Sequence, residues 1–305
     1  MKVSEAIEQY TFAITHLSPK TQRGYLDCLN RFSKWCDKQG LTLDKVKAIH
    51  TRKYLEELRQ TPNEKTGQPL SSYYVHYHAR SLRAFLRWCS VEEGLDEYVT
   101  TRAAKVTMPR LEKKVISIFT PEEINKLLAA CKKEAYPELQ SRTRTIILVL
   151  LDTGIRASEL CDLTLDDVHL TAGNSYIKVR GKGMKEREVG LGNKASKALY
   201  THINRFRHAP TEERHVFLTR THTPMTYITL DKVLYRLADW AGVEDCHAHK
   251  FRHTFAVRYL EAGGELFDLS RLMGHTTTFV TRLYLEYYTS RQVRMKGISV
   301  MDNLK

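Results

Sequence analysis

Arg156, Lys182, His249, Arg252, His275 and Tyr284 lie far apart along the chain, yet their side chains together suit one reaction. Cleaving a phosphodiester without a metal requires groups that meet the negative charge spread over its non-bridging oxygens. Guanidinium groups do so because they stay charged and donate hydrogen bonds in a planar fork. Preorganised charge of this kind is commonly the largest catalytic contribution. Arg156 follows Gly154 at a turn between two predicted helices, where a side chain can point into a cleft. Arg252 stands three residues after His249 in the first turn of another predicted helix, so the two share a face and can address one phosphate. Tyr284 is the candidate nucleophile. A phenol with a free pKa of about 10 needs nearby cations and an acceptor to lose its proton. Lys182, at the tip of Gly181-Lys182-Gly183, is placed to protonate a leaving oxygen, and the flanking glycines let that tip follow a groove closely.

Each feature alone also has an ordinary structural reading. An HxxR pair arises by chance, and Gly-Lys-Gly is a common hairpin tip. His247, His249 and His253 raise the question of a metal, but no acidic or cysteine set with zinc spacing accompanies them, so neither metal nor cofactor is expected.

The elements that must position these residues are mostly helical. Ser18-Pro19 is an N-cap followed by proline at the first helical position, and Tyr25, Leu29, Phe32 and Cys36 then recur on one face up to Gly40. A second helix is expected from about Thr51, burying Tyr54, Leu55 and Leu58. A third starts at Ser71-Ser72 and turns Leu82, Phe85, Leu86 and Cys89 inward. Arg80, Arg83 and Arg87 form a stripe beside that apolar face, suited to a phosphate backbone or a major groove, or simply to solvent. Periodicity fails near residue 103, where Lys105, Arg110, Lys113 and Lys114 make a basic connector. Beyond it, Thr120-Pro121-Glu122-Glu123 is a capping box. A buried helix through Ile146–Leu151 ends at Gly154, and Tyr176–Val179 and Glu188-Val189 flank a hairpin turn. Val216–Leu218 reads as a third strand, and helices return over 194–206, 229–240, 250–261, 266–273 and 278–287. The fold class expected is mainly α, with a small antiparallel β-sheet in the second of two domains.

The 305 residues carry a net charge of +13 and a pI of about 9.4, and both the first 112 residues and the remainder are basic. That balance favours a polyanionic partner. No apolar run is long enough for a membrane span, and the first residues carry no secretory signal, so a cytoplasmic location is expected. Six scattered cysteines without a CxxC pair read as reduced thiols.

Thr153 to Leu160, Gly181-Lys182-Gly183 with Lys185 to Arg187, His249 to Phe255, Leu272 to His275 and Thr281 to Tyr284 resemble, in order and spacing, the boxes of the tyrosine recombinase (phage integrase) family, and its Xer-like two-domain members in particular. Lys182 follows Arg156 by 26 residues and Tyr284 follows His275 by nine. The resemblance implies a helical, SAM-like core-binding domain over 1–104, a basic linker over 105–117 and an α+β catalytic domain with a C-terminal tail over 118–305. By the same resemblance Arg156 and Arg252 clamp the phosphate, Lys182 is the general acid and His249 assists proton transfer. His275 orients the phosphate or the phenol, and Tyr284 forms a 3′-phosphotyrosyl link, while Glu159 is a supporting residue of the first box. Two departures from the family pattern stand out: Val189-Gly190-Leu191 where proline is frequent, and Glu286 where histidine is frequent. Tyr287 and Tyr288 are rival nucleophiles by residue type.

The implied function is site-specific DNA recombination through a Holliday junction, serving integration, excision or resolution. The implied partner is double-stranded DNA with paired sites, bound by a homotetramer that is a monomer when free. The tail after Tyr284 is expected to pack into a neighbouring subunit, and an additional N-terminal arm-site domain is not expected. Arg80, Arg83, Arg87, Lys113 and Lys114 are the expected DNA contacts. A type IB topoisomerase-like enzyme and a catalytically silent DNA-binding regulator on the same fold are the competing readings.

Overall fold

A computed structural model describes the chain except for residues 64–66, 93, 97, 99–104, 112–115, 182–185, 209, 211, 276–277 and 296–305. It divides into two compact units, Met1–Lys114 and Val115–Lys305.

The first unit packs four helices around one core: α1 (Val3–Ala13), α2 (Pro19–Lys38), α3 (Ala48–Gln60) and α4 (Ser72–Cys89). Ser18 and Ser71 cap α2 and α4, each accepting a hydrogen bond from the backbone N–H three residues on. The α1 helix adds to the elements expected from the sequence. Its signal is Val3, Ala6, Ile7 and Tyr10, all buried at helical spacing, but its N-cap is Lys2, which offers no side-chain cap. Tyr10 meets Phe85 edge-on and Trp88 at a tilt, so α1 closes the core made by α4. Helix α3 begins at Ala48, three residues before the position expected.

The second unit is built on α6 (Pro137–Thr153) and α10 (Ala248–Glu261), which pack against each other. Around them stand α5 (Pro121–Ala130), α7 (Ala157–Cys161), α8 (Asn193–Thr201), α9 (Tyr227–Ala241), α11 (Leu266–Leu272) and α12 (Thr278–Met295). Thr120 caps α5 as the capping box requires, with Glu123 returning a bond to the Thr120 N–H. The sheet is antiparallel in the order β1 (Val168–His169), β2 (Tyr176–Arg180), β3 (Glu186–Gly190), with Val179 opposite Arg187. Its third strand is therefore Val168–His169 and not Val216–Leu218. The latter segment is buried and makes backbone bonds, Val216 N–H to the Leu163 carbonyl and Met225 N–H to the Phe217 carbonyl, but it forms only isolated bridges, Leu218 with Pro224 and neighbouring His215 with Thr164. Helix α8 continues as a π-helix over His202–Phe206.

All six cysteines are free thiols. Burial pushes Cys28 up to about 11, and Cys36, Cys89, Cys131, Cys161 and Cys246 to about 12. Among the described residues, no helix is long and apolar enough to cross a membrane.

Candidate active site

Helix α6 ends at Gly154 in the left-handed conformation, φ +59°. A β-carbon there would fall 2.2 Å from the Phe255 ring on α10, so the turn needs glycine twice over: for its backbone and for the closeness of the two helices. The Gly154 carbonyl accepts a 2.7 Å hydrogen bond from Arg252 Nη1, which ties the turn to α10. Arg156 follows as the N-cap of α7.

Arg156 is held in place while remaining accessible. Its Nη1 pairs with Glu159 Oε1 at 2.8 Å and its Nη2 donates to the Gly274 carbonyl at 2.9 Å. Over a third of the side chain remains exposed (37%). Glu159, 3% exposed, also receives both Nη groups of Arg187 from β3, at 3.0 and 2.7 Å. Burial would raise the Glu159 pKa, but Arg187 and Arg156 overcome it and hold the carboxyl down to about 2. Arg187 Nε reaches the Leu272 carbonyl at 2.7 Å, so one carboxylate and one arginine join α7, the sheet and the end of α11.

Arg252 is 2% exposed, and its Nη2 donates to the Met273 carbonyl at 2.6 Å and to His275 Nε2 at 2.9 Å. Burial chiefly, then the Arg156 charge, lowers its pKa to about 10, so it stays cationic near neutrality. Because an arginine can only donate, His275 Nε2 must accept. The ring proton therefore sits on Nδ1 and is donated to Thr281 Oγ1, 2.8 Å away. Burial and the charges of Arg252, Arg156 and Arg187 push the His275 pKa down to about 4, which keeps the ring neutral.

Tyr284, on α12, is 4% exposed, and its hydroxyl shares a 2.9 Å hydrogen bond with His253 Nδ1. Burial raises the phenol pKa, while the Arg252 and Arg156 charges act in the opposite direction. Tyr287 and Tyr288 are only partly buried beside the same small core. His249 is exposed and meets the His253 ring edge-on at 4.9 Å. It lines a cleft of about 160 Å³ with Arg156, Arg252, His247 and Tyr227. The structure thus gathers Arg156, His249, Arg252, His275 and Tyr284 at one place, where α6 meets α7 and α10 meets α11 and α12. Lys182 lies outside the described residues, as do Lys113 and Lys114. In the first unit, Arg80, Arg83 and Arg87 are on α4, with Arg80, Arg83 and Arg87 all exposed, and Arg80 lies over the Tyr77 ring at 5.6 Å.

The phage integrase family matches residues 117–291, and the phage integrase N-terminal SAM-like domain matches residues 7–93. The chain belongs to the phage integrase family. Tyrosine recombinase XerD of Chlorobaculum tepidum is 28% identical over 291 residues, covering 93% of this chain and 91% of that protein. Tyrosine recombinase XerC of Bacillus pumilus is 29% identical over 275 residues, 88% of this chain and 86% of that protein. Among solved structures, XerH site-specific recombinase bound to palindromic difH substrate, a post-cleavage complex, matches with a TM-score of 0.76 at 21% identity, covering 95% of this chain and 83% of that one. The Tn1549 transposon integrase in complex with transposon right end DNA matches at 0.74 and 20%, covering 97% and 99%. The integrase-family chain is accordingly a tyrosine-type site-specific recombinase, with the mainly helical two-domain fold expected from its sequence.

Three side chains in this candidate site have contacts that sequence reasoning does not give them. His253 holds the Tyr284 hydroxyl, Thr281 fixes the His275 tautomer, and Arg187 shares Glu159 with Arg156. A signal for Arg187 exists: it sits between exposed Glu186 and Glu188 on a strand, so it faces inward with Val189. His253 has none, since its partner is 31 residues away on another helix.

Proposed function

We propose that the chain cuts and rejoins duplex DNA at specific paired sites through a covalent 3′-phosphotyrosyl intermediate. The Tyr284 oxygen attacks the scissile phosphorus, the bond to the 5′-oxygen breaks, and the new bond conserves the phosphodiester energy for rejoining. The phenol proton passes toward His253, which must accept it at Nδ1. The leaving 5′-oxygen takes a proton from Lys182, with His249 assisting transfer at the cleft. Arg156 and Arg252 bear the charge that develops on the phosphate, and neutral His275 keeps the Arg252 guanidinium in plane. Glu159 and Arg187 are positioning residues. The observation that carries this reading is the Tyr284 phenol, buried on a histidine and within the field of two arginines fixed to the backbone.

Two successive strand exchanges would pass through a Holliday junction in a tetramer assembled from free monomers on DNA, in the cytoplasm. The 1–104 helical domain, with Arg80, Arg83 and Arg87, the 105–117 linker with Lys113 and Lys114, and the 118–305 catalytic domain would all meet the duplex. The test is a nicked suicide site drawn from the chain's genomic neighbourhood. A covalent protein–DNA adduct on that site, and none on an unrelated duplex, supports the recombinase. An adduct on any duplex supports a topoisomerase-like relaxing enzyme, and none at all supports a silent regulator.

A further inference from the structure

The N-terminal part of α6 borders a second space, roughly 18 Å along the helix axis from the Gly154 turn at 1.5 Å per residue. It is a cavity of about 70 Å³ lined in part by Arg142, His202, Arg207 and Leu218, with His208 and His222 at its mouth. His202 is 3% exposed, and among the described residues neither ring nitrogen has a hydrogen-bonding partner. The Val216 main chain lies beside the ring and favours its protonated form, against burial and the Arg142 charge. The ring stacks on Phe217, centroids 5.8 Å apart and 14° from parallel, which fixes its plane. It enters the cavity from the π-helical segment, a form often found at functional sites.

Arg142 is 5% exposed; Nη1 donates to the Leu218 carbonyl at 2.7 Å, and Nε has no partner among the described residues. It forms no ion pair with them, because the carboxylate whose charge it feels, Glu134, bonds Arg236 and Thr143 instead. Arg207 is half-buried and donates to the carbonyls of His215 and Glu213. Among the described lining residues, Glu138 alone is acidic. Buried polar groups left without partners are costly, and a buried cation more so. Water alone would satisfy the nitrogens but leave the guanidinium charge offset only by Glu134, whose oxygens are engaged elsewhere, and by Glu138. The space of about 70 Å³ is large enough for a small tetrahedral oxyanion.

We propose that this cavity binds one small tetrahedral oxyanion of the phosphate class, held by Arg142, His202 and Arg207. The test is an NMR titration of the full chain with inorganic phosphate, ionic strength held constant with chloride. The His202 ring and the Leu218 and Thr219 amides should shift saturably. In His202→Phe, which keeps the stack on Phe217, those amides should need roughly tenfold or more phosphate, as expected on losing a hydrogen bond to a charged group. The His249 ring, reporting the catalytic cleft, should respond equally in both proteins. If His202→Phe melts early, Arg207→Gln serves in its place with the same expected loss. The proposal is overturned if the amides stay still, if they move identically in both variants, or if they respond to duplex DNA and not to phosphate.

Discussion

Arg252 donates to His275 Nε2 at 2.9 Å, and this bond decides the state of the histidine. With Nε2 occupied as an acceptor, the imidazole must be neutral and must carry its proton on Nδ1. His275 therefore reaches the site as a holder of the arginine and not as a resting cation.

This assignment has a pH consequence. His275 is held down to about 4, and so are buried His78, against Tyr54, and His202. A histidine with a depressed folded pKa binds fewer protons than the unfolded chain between that value and about 6.5. Each one therefore removes stability as pH falls through that window, and stability is fully present above it. Histidine ring NMR should show these three titrating well below about 6.5. A His275 signal titrating near 6.5 would contradict the Arg252 bond.

Glu159 balances Arg156 and Arg187 from a site that is 3% exposed. Glu159→Gln leaves two guanidinium groups without their carboxylate, and breaking a buried pair this way costs about 3 kcal/mol. Denaturant unfolding should report the loss, and strand cleavage should fall while DNA binding persists. Arg187→Lys should not substitute for Arg187, because an ammonium cannot make the two parallel bonds to Glu159.

Gly154→Ala should be severe for two separable reasons. The left-handed backbone costs an L-residue about 1 kcal/mol, and the clash with Phe255 adds about 1–3 kcal/mol. Adding Phe255→Ala should relieve the second part and leave the first. Thermal or urea unfolding of the two single variants and the double variant measures the coupling. Strict additivity would show that Gly154 and the Phe255 ring do not touch.

The stripe of Arg80, Arg83 and Arg87 makes a different prediction, confined to affinity. Replacing all three with glutamine should weaken binding to any duplex. It should also reduce the slope of log affinity against log salt by about 0.9 for each phosphate that the stripe no longer neutralises. An unchanged slope would mean that the stripe faces solvent.

Much of the fold is legible in the sequence because its helices are punctuated chemically. Ser18-Pro19, Thr120-Pro121 and Gly154 mark ends that side chains or backbone conformation enforce locally. Helix α1 has no N-cap side-chain bond, only Glu5 returning to the Lys2 N–H, and shows chiefly in its apolar spacing. Val216–Leu218 fails as a strand for the opposite reason: burial makes an apolar run strand-like in composition, whatever its pairing. Within the site, the charged groups are legible by type and spacing. Their neighbours are not, because Thr281, His253 and Arg187 act through contacts fixed only when distant helices and a strand come together.

The central claim is that Tyr284 is the nucleophile, and its most direct test is capture of the covalent intermediate on a nicked suicide site. Wild type should form a protein–DNA adduct whose labelled peptide contains Tyr284. Tyr284→Phe should abolish the adduct while retaining DNA binding, and Tyr287→Phe should still form it. An adduct that persists in Tyr284→Phe and vanishes in Tyr287→Phe would contradict the account.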